Sequence, residues 1–111
     1  MFDGLDTSVR PLLVDPGQIA VWAARVRPHL DRMGEGSGGR YHGTDILSFI
    51  ASGRMQLWLG LKGADLLFAL VTDVQQYPRR RAMRLIGLVG VNPIVWRRVL
   101  AAIERAAKDD F

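Results

Sequence analysis

The sequence predicts an α+β domain in which three or four antiparallel strands are flanked by three helices. Three observations favour this class. Residues 54–90 contain three strand-like runs separated by turn signals, two helical segments with capping residues precede them, and a third follows. Because the links between the runs are short, we expect antiparallel hairpins, since a parallel return needs a crossover of about a dozen residues. The 111 residues are enough for one core, so residues 1–111 form a single predicted domain.

The three strand-like runs carry the pattern of a sheet that is covered on both sides. They span Met55–Lys62, residues 66–74 and residues 82–90. Alternate residues of a strand point to opposite faces, which separates Leu57 from Trp58 in the first run. The middle run is apolar on both faces until Asp73, so we expect cover on both faces of the middle strand. The polar residues of 72–76 and 79–84 predict a solvated end for the second hairpin.

The N-terminal part contains a short apolar run, residues 11–14, that fits a short edge strand or an extended lead-in. Pro11 cannot donate a hydrogen bond to a strand ladder, so only an edge position suits it. Nothing else in residues 1–14 predicts regular structure.

The first helix is predicted to start at Asp15, followed by Pro16 at the first helical position. Gln18 is placed to reach back to Asp15 as in a capping box. An apolar stripe at three- and four-residue spacing follows, which predicts a helix that packs on the sheet. Pro28 interrupts this stripe and is expected to kink or weaken the helix near residues 24–28. The stripe consists of Ile19, Trp22, Ala23, Val26, Leu30 and Met33.

The segment 34–40 is rich in glycine and is predicted to be a flexible polar loop. A phosphate-binding loop is the alternative, but the segment lacks the Gly-Lys-Ser/Thr ending and no strand precedes it. A short second helix over residues 45–52 follows, with Thr44 as its N-cap and Gly53 as its stop.

The third helix is predicted over residues 94–108, after the last strand. Asn92 and Pro93 form the same capping pattern as the first helix start, and an apolar stripe follows. Arg97 and Arg98 fall on its polar side and are expected to face water.

The composition excludes several classes of function. There are no cysteines, which rules out a disulfide scaffold, a thiolate metal site and a cysteine nucleophile. Two histidines are too few for a histidine-rich metal cage, so we expect no metal site. No apolar run approaches the ~20 residues that cross a bilayer, and the N-terminus does not have the pattern of a signal peptide. We expect a soluble intracellular protein that does not bind membranes.

The basic residues are concentrated in one part of the chain. The net charge is +4 and 13 of the 15 basic residues are arginine. Six arginines and no acid lie between residues 79 and 98, namely Arg79, Arg80, Arg81, Arg84, Arg97 and Arg98. Such a patch fits a solvated turn, a protein contact, nucleic acid or the phosphates of coenzyme A. Nucleic acid is disfavoured because only Tyr77 offers a stacking platform near the patch.

The remaining candidate residues have simpler interpretations. His42, near Asp45, is interpreted as a surface histidine at a helix start, because the spacing supplies no partner for acid–base work. His29 is interpreted as a residue at the core boundary rather than a ligand. Trp22 and Trp58 are assigned to the core or its edge, whereas Trp96 could instead anchor a partner surface. We predict no catalytic residue.

The order of elements and two short motifs resemble the small GNAT proteins (N-acetyltransferase superfamily) that phages and prophages encode. The motifs are Gly-Arg-Met-Gln-Leu-Trp at residues 53–58 and Tyr-Pro-Arg at residues 77–79, and the resemblance covers residues 15–108. It implies a GNAT-like fold whose sheet continues beyond the last helix, with acetyl-CoA held between the fourth and fifth strands. Weak candidates for contacts to that cofactor are Arg84, Gly87, Gly90 and Asn92.

Departures from the family's pattern, in the cofactor signature and in length, favour a protein that has lost catalysis and binds no cofactor. The family's signature is [Gln/Arg]-x-x-Gly-x-[Gly/Ala], and here Gly90 is one position late after Gly87. Pro93 removes an N–H donor where a helix start would bind pyrophosphate, and the chain stops where the next strand is expected. We therefore expect a structural or interaction component of a phage particle or prophage-derived assembly, in the host-cell cytoplasm or incorporated in the virion. An N-acyltransferase that uses acetyl-CoA is the alternative.

The predicted interaction site is the open edge of the last strand, residues 82–89. An exposed apolar edge must be covered or paired, so another protein chain, identical or different, is the expected partner. The side chains assigned to this contact are Arg79, Arg80, Arg81, Arg84, Trp96, Arg97 and Arg98.

Overall fold

A computed structural model of the protein describes residues 10–63 and 65–90, and beyond them the helical positions 101, 104 and 105. The α+β class is confirmed. The described part holds one four-stranded antiparallel sheet and two α-helices, where three helices were predicted. The third predicted helix, residues 94–108, lies outside the described residues except for those three positions. The elements are β1 (Arg10–Leu13), a 3-10 turn (Pro16–Gln18), α1 (Ile19–Gly36), α2 (Gly43–Ala51), β2 (Met55–Lys62), β3 (Asp65–Gln76) and β4 (Arg81–Val89).

The sheet has the order β1-β2-β3-β4, with every neighbouring pair antiparallel. The two predicted hairpins, β2 with β3 and β3 with β4, are thereby confirmed. β1 lies at one margin of the sheet, with Pro11 opposite Gly60. The edge position expected for a strand that contains proline is therefore also confirmed.

One face of the sheet forms the main core with the two helices. Leu57 and Leu59 of β2 and Val71 of β3 are fully buried there against α1 and α2. The helical side chains that complete this core are Val26, Leu30, Met33, Ile46 and Ile50. Since each is apolar and falls on one stripe of its helix, the spacing in the sequence determines which helix face is buried.

The opposite face of the sheet is also buried in its middle. Trp58, Phe68 and Leu70 are each at most 2% exposed. The Trp58 indole N–H donates to the Thr72 hydroxyl at 3.0 Å, and this hydroxyl donates to the side-chain oxygen of Gln56 at 3.0 Å. Cover on both faces of the middle strand is confirmed, because all of residues 68–73 are buried.

The prediction of a solvated hairpin end was wrong for two residues. Thr72 and Asp73 are 3% and 8% exposed. Each is buried because it has a polar partner: the Trp58 indole for Thr72 and a guanidinium for Asp73. A buried polar group that keeps a hydrogen-bond partner avoids most of its desolvation cost.

The start of the first helix was predicted in part. The Asp15 carboxylate accepts a hydrogen bond from the Gly17 N–H at 2.9 Å, and Pro16 follows it, as expected. This cap belongs to the 3-10 turn, however, and α1 starts at Ile19 without a side-chain cap from Gln18. The helix then continues through Pro28 to Gly36. Burial of the stripe on both sides of Pro28 stabilises a helix that propensity alone would interrupt.

The glycine-rich segment is shorter as a loop than predicted, because residues 34–36 form the last turn of α1. Gly34 is buried against the chain that returns to α2, and a Cβ there would lie 2.9 Å from the Tyr41 carbonyl oxygen. The Ser37 hydroxyl donates to the Gly34 carbonyl at 2.6 Å and accepts from the Tyr41 N–H at 3.0 Å. The side chain of Ser37 thus ties the two ends of this connection together.

The second helix starts two residues earlier than expected, at Gly43. Its N-cap is His42 rather than Thr44, and the His42 backbone N–H donates to the Asp45 carboxylate at 2.9 Å. Gly53 ends the helix as predicted, with φ +82°. The Gly53 and Arg54 N–H groups bond to the carbonyls of Ile50 and Phe49, which is a Schellman motif. In the part of the chain that the structure describes, no helix is long and apolar enough to span a membrane.

Candidate functional site

β4 forms the second margin of the sheet. Of the three long strands, β2, β3 and β4, it is the least buried. It pairs with β3 on one side, and among the described residues no strand pairs with its other side. Its apolar side chains are half-buried or exposed, with Leu85 49% exposed, whereas the middle of β3 is fully buried. A nine-residue, largely apolar strand whose outer row of backbone groups pairs with no strand among the described residues is a surface on which another strand can pair.

A bulge divides this margin into two parts. Val71 lies opposite Gly87 and Thr72 lies opposite Leu85, so Ile86 has no counterpart on β3. Residues 81–85 therefore form one regular stretch and residues 87–89 another. Bulges re-aim an edge and interrupt pairing, so the longer, N-terminal stretch offers the more regular ladder.

The N-terminal end of β4 follows a strongly basic turn. The Tyr77 N–H donates to the Arg80 carbonyl at 2.8 Å and closes the turn. Arg79, Arg80 and Arg81 are exposed, and none of them has an acidic partner among residues 10–63 and 65–90. We call these three residues the arginine turn.

Arg84 is in a different electrostatic state from the arginine turn. It lies directly opposite Asp73 in the ladder and donates two hydrogen bonds, at 3.1 and 2.7 Å, to the two carboxylate oxygens. Gln75 donates a third bond to the same carboxylate at 3.2 Å. Hydrogen bonding from Arg84 lowers the pKa of Asp73, and Asp73 in turn raises the pKa of Arg84. The charge of Arg84 is thus neutralised within the fold.

The Asp73–Arg84 pair lines an open cleft of about 490 Å³ at this end of the sheet. Its other wall is the C-terminal end of α2 with the residues around it. The rings of Tyr41 and Phe49 meet edge to face at 6.3 Å, and the Arg54 guanidinium lies 4.7 Å from the Phe49 ring centre. Sequence reasoning missed this cleft because its residues are scattered along the chain. The one available signal was the hairpin register, which places residue 73 opposite residue 84.

The candidate cofactor contacts are used inside the fold where the structure describes them. A Cβ at Gly87 would lie 2.8 Å from the Met33 side chain, so Gly87 lets α1 approach the sheet. Gly90 has φ +100°, and a Cβ there would lie 2.6 Å from the Leu67 carbonyl oxygen. Arg84 is held by Asp73. The other assigned residues, Asn92, Trp96, Arg97 and Arg98, lie outside the described residues.

The two histidines occupy the positions that were expected of them. His42 is exposed at the start of α2, and His29 is half-buried on α1. Burial, with a smaller effect of the Arg32 charge, lowers the pKa of His29, and its buried Nδ1 has no hydrogen-bond partner. Within the described ranges, no group of three or more His, Asp or Glu side chains is arranged to hold a metal ion.

Comparison of the chain with protein-family models, with curated protein sequences and with solved structures found no match. The free margin of β4, the arginine turn and the Asp73–Arg84 cleft are therefore interpreted from their own geometry and charge.

Proposed function

We propose that this protein is an interaction module that binds another protein chain by strand addition at β4. The observation that carries the proposal is the margin of this strand, which pairs with no other described strand and carries Leu85, 49% exposed, among partly buried apolar side chains. Water can satisfy the free N–H and C=O groups, but it leaves the apolar side chains without cover. An added strand supplies both hydrogen bonds and apolar contacts, which is a recurring mode of recognition.

The resemblance to phage-encoded GNAT proteins supports the same location. In that family the acyl donor lies between the fourth and fifth strands, and β4 is the fourth strand of the sheet here. The margin that a fifth strand would occupy in the family is the margin that we assign to a partner. On this proposal the protein is a GNAT-like component of a phage particle or of a prophage-derived assembly.

Loss of catalysis is part of the proposal, and two contacts support it. Arg84 is bound to Asp73, and Gly87 is covered by Met33. Neither is free to contact a pyrophosphate. We therefore expect acetyl-CoA not to bind specifically, and we retain an acetyl-CoA-dependent N-acyltransferase as the alternative outcome.

The experiment combines hydrogen exchange with calorimetry on one sample. Amides of β4 are followed in the monomeric chain alone and with an excess of a neutral nine-residue peptide of alternating threonine and valine. We expect the amides that face away from β3 to exchange fast alone and slowly with the peptide. The amides of Leu57 and Leu59, which lie inside the sheet, serve as the internal control.

Two results would contradict this proposal. Slow exchange of all β4 amides in the free monomer would mean that the chain already covers its own margin. Micromolar binding of acetyl-CoA in the calorimeter would restore the acyltransferase.

A further inference from the structure

We infer that the segment which β4 accepts is acidic: an extended strand that pairs antiparallel with residues 81–85 and carries carboxylates at its C-terminal end. This inference rests on the proposed function and adds the chemistry and direction of the partner. It follows from the distribution of charge along β4, the position of the bulge and the geometry of self-pairing.

Charge is distributed unevenly along β4. The arginine turn lies at its N-terminal end and is exposed without acidic partners in the described part of the chain. Asp73 neutralises Arg84, and the residues of β4 after Arg84 are uncharged. A partner strand therefore meets three positive charges that have no acidic partner in the described part of the chain at one end, and apolar side chains at the other. Opposite charges across a strand pair are favourable and like charges are unfavourable.

The bulge at Ile86 directs the partner to the basic end. Regular pairing with β3 extends over residues 81–85 and is interrupted before Gly87. On this stretch Met83 and Leu85 point to the face opposite the helices, where Leu85 is half-exposed. A complementary segment thus has apolar residues that contact Met83 and Leu85, with acidic residues next to Arg81 and the turn.

The direction follows from the pairing already present in the sheet. All three strand pairs of the sheet are antiparallel, and antiparallel pairs are slightly more stable per residue than parallel ones. In an antiparallel addition, the C-terminal end of the partner lies beside Arg81 and continues past the arginine turn. The carboxylates therefore belong at the C-terminal end of the segment.

A second copy of this chain satisfies the same margin less well. Antiparallel pairing of two β4 strands would place the Arg81 end of one copy beside the Val89 end of the other. The arginine turns would then meet apolar residues, and their charge would stay uncompensated. An acidic segment from a different protein compensates it.

The test uses the full chain and three amidated nine-residue peptides with the same threonine–valine body. One ends in three glutamates, one ends in three glutamines, and one begins with three glutamates. We expect the first peptide to bind about tenfold more tightly than the other two, given three exposed ion pairs of ordinary strength with the arginine turn. Because exposed charges are screened by salt, the advantage should shrink as ionic strength rises.

Matched variants locate the effect. Replacing Arg79, Arg80 and Arg81 by glutamine should reduce binding of the first peptide to that of the glutamine peptide. In the control variant, Arg25, Arg32 and Arg40 are replaced by glutamine, which removes the same charge from α1 and the loop after it. This variant should still bind the first peptide more tightly than the glutamine peptide.

The outcomes separate this inference from the function on which it rests. If all three peptides protected the β4 amides equally, the inference of an acidic partner would be wrong, and the proposal of strand addition would still hold. If the protection of β4 amides from exchange increased with protein concentration and did not change on substitution of the three arginines, the partner would be a second copy of this chain. If no peptide protects β4, and its amides already exchange slowly in the free chain, both proposals are wrong.

Discussion

Replacing Thr72 by valine tests whether the buried polar network on the second face of the sheet stabilises the fold. The substitution keeps the shape of the side chain and removes the acceptor of the Trp58 indole N–H, which lies 3.0 Å away. Both residues are at most 3% exposed, so water cannot easily replace the lost partner. Leaving a buried donor without a partner costs about 1–3 kcal/mol.

The added methyl group offsets part of this cost. Burying one extra methyl contributes about 0.8 kcal/mol, so we expect a net loss of roughly 0.2–2 kcal/mol. With a urea dependence of about 2 kcal/mol per M, the midpoint of unfolding should fall by roughly 0.1–1 M with an unchanged slope. Equilibrium unfolding in urea, followed by tryptophan fluorescence, measures this shift.

Two controls make the result specific to the hydroxyl. Thr72→Ser keeps the acceptor and removes one buried methyl, so it should cost about 0.8 kcal/mol, whereas Thr44→Val changes an exposed threonine and should leave the midpoint nearly unchanged. If Thr72→Val were more stable than the parent protein by about 0.8 kcal/mol, the contribution of the added methyl alone, the hydrogen bond to Trp58 would contribute nothing and this reasoning would fail.

Three further predictions concern stability and its pH dependence. Gly60→Ala should destabilise the protein by about 1–3 kcal/mol in urea unfolding, because the added Cβ meets the buried Phe68 ring. Gly53→Ala should cost about 1 kcal/mol, because its φ is +82°, whereas Gly36→Ala, with open space around it, should be neutral or stabilising; equal effects would argue against the helix end described above. The pKa of Asp73 is lowered from 3.8, so its ionised form stabilises the fold above that pH, and this contribution is lost as the pH falls below it. The stability difference between the parent and Asp73→Asn should thus shrink from pH 6 to pH 3, and a constant difference would contradict the assignment.

The sequence predicted the sheet well because its signals are local. Short links fix antiparallel hairpins, and period-2 alternation assigns Leu57 and Trp58 to opposite faces. Pro11 identified an edge strand, because a residue without an N–H cannot donate to a ladder. Gly53 identified a helix end, because a positive φ is tolerated best by glycine.

The errors arose where tertiary contacts override local preference. Thr44 is an ordinary N-cap residue, yet His42 caps α2, because the tight return from α1 places Gly34 against the chain at residues 41–43. Pro28 does not end α1, since burial on both sides stabilises the helix. The sequence predicted a solvated Asp73, but the hairpin register places this residue opposite Arg84.

The candidate site was predicted more coarsely than the fold. The basic turn and the apolar edge of β4 can be read from the sequence, because both are continuous stretches. The sequence did not predict that Arg84 is neutralised while the arginine turn is not, because this difference depends on the Asp73 carboxylate, eleven residues away in the chain. The Ile86 bulge, which separates the regular stretch 81–85 from residues 87–89, likewise depends on the register between two strands.

The two margins of the sheet differ in a way that limits how copies of the protein can stack. Of the four residues in β1, one is a proline, whereas β4 offers nine residues and no proline. Growth of a fibril by adding one molecule after another would require β4 of each copy to pair with β1 of the next. Because Pro11 lacks an N–H and β1 is short, that contact is poor, and pairing at β4 ends with the first strand that binds there. The asymmetry therefore favours a finite complex over an open-ended polymer.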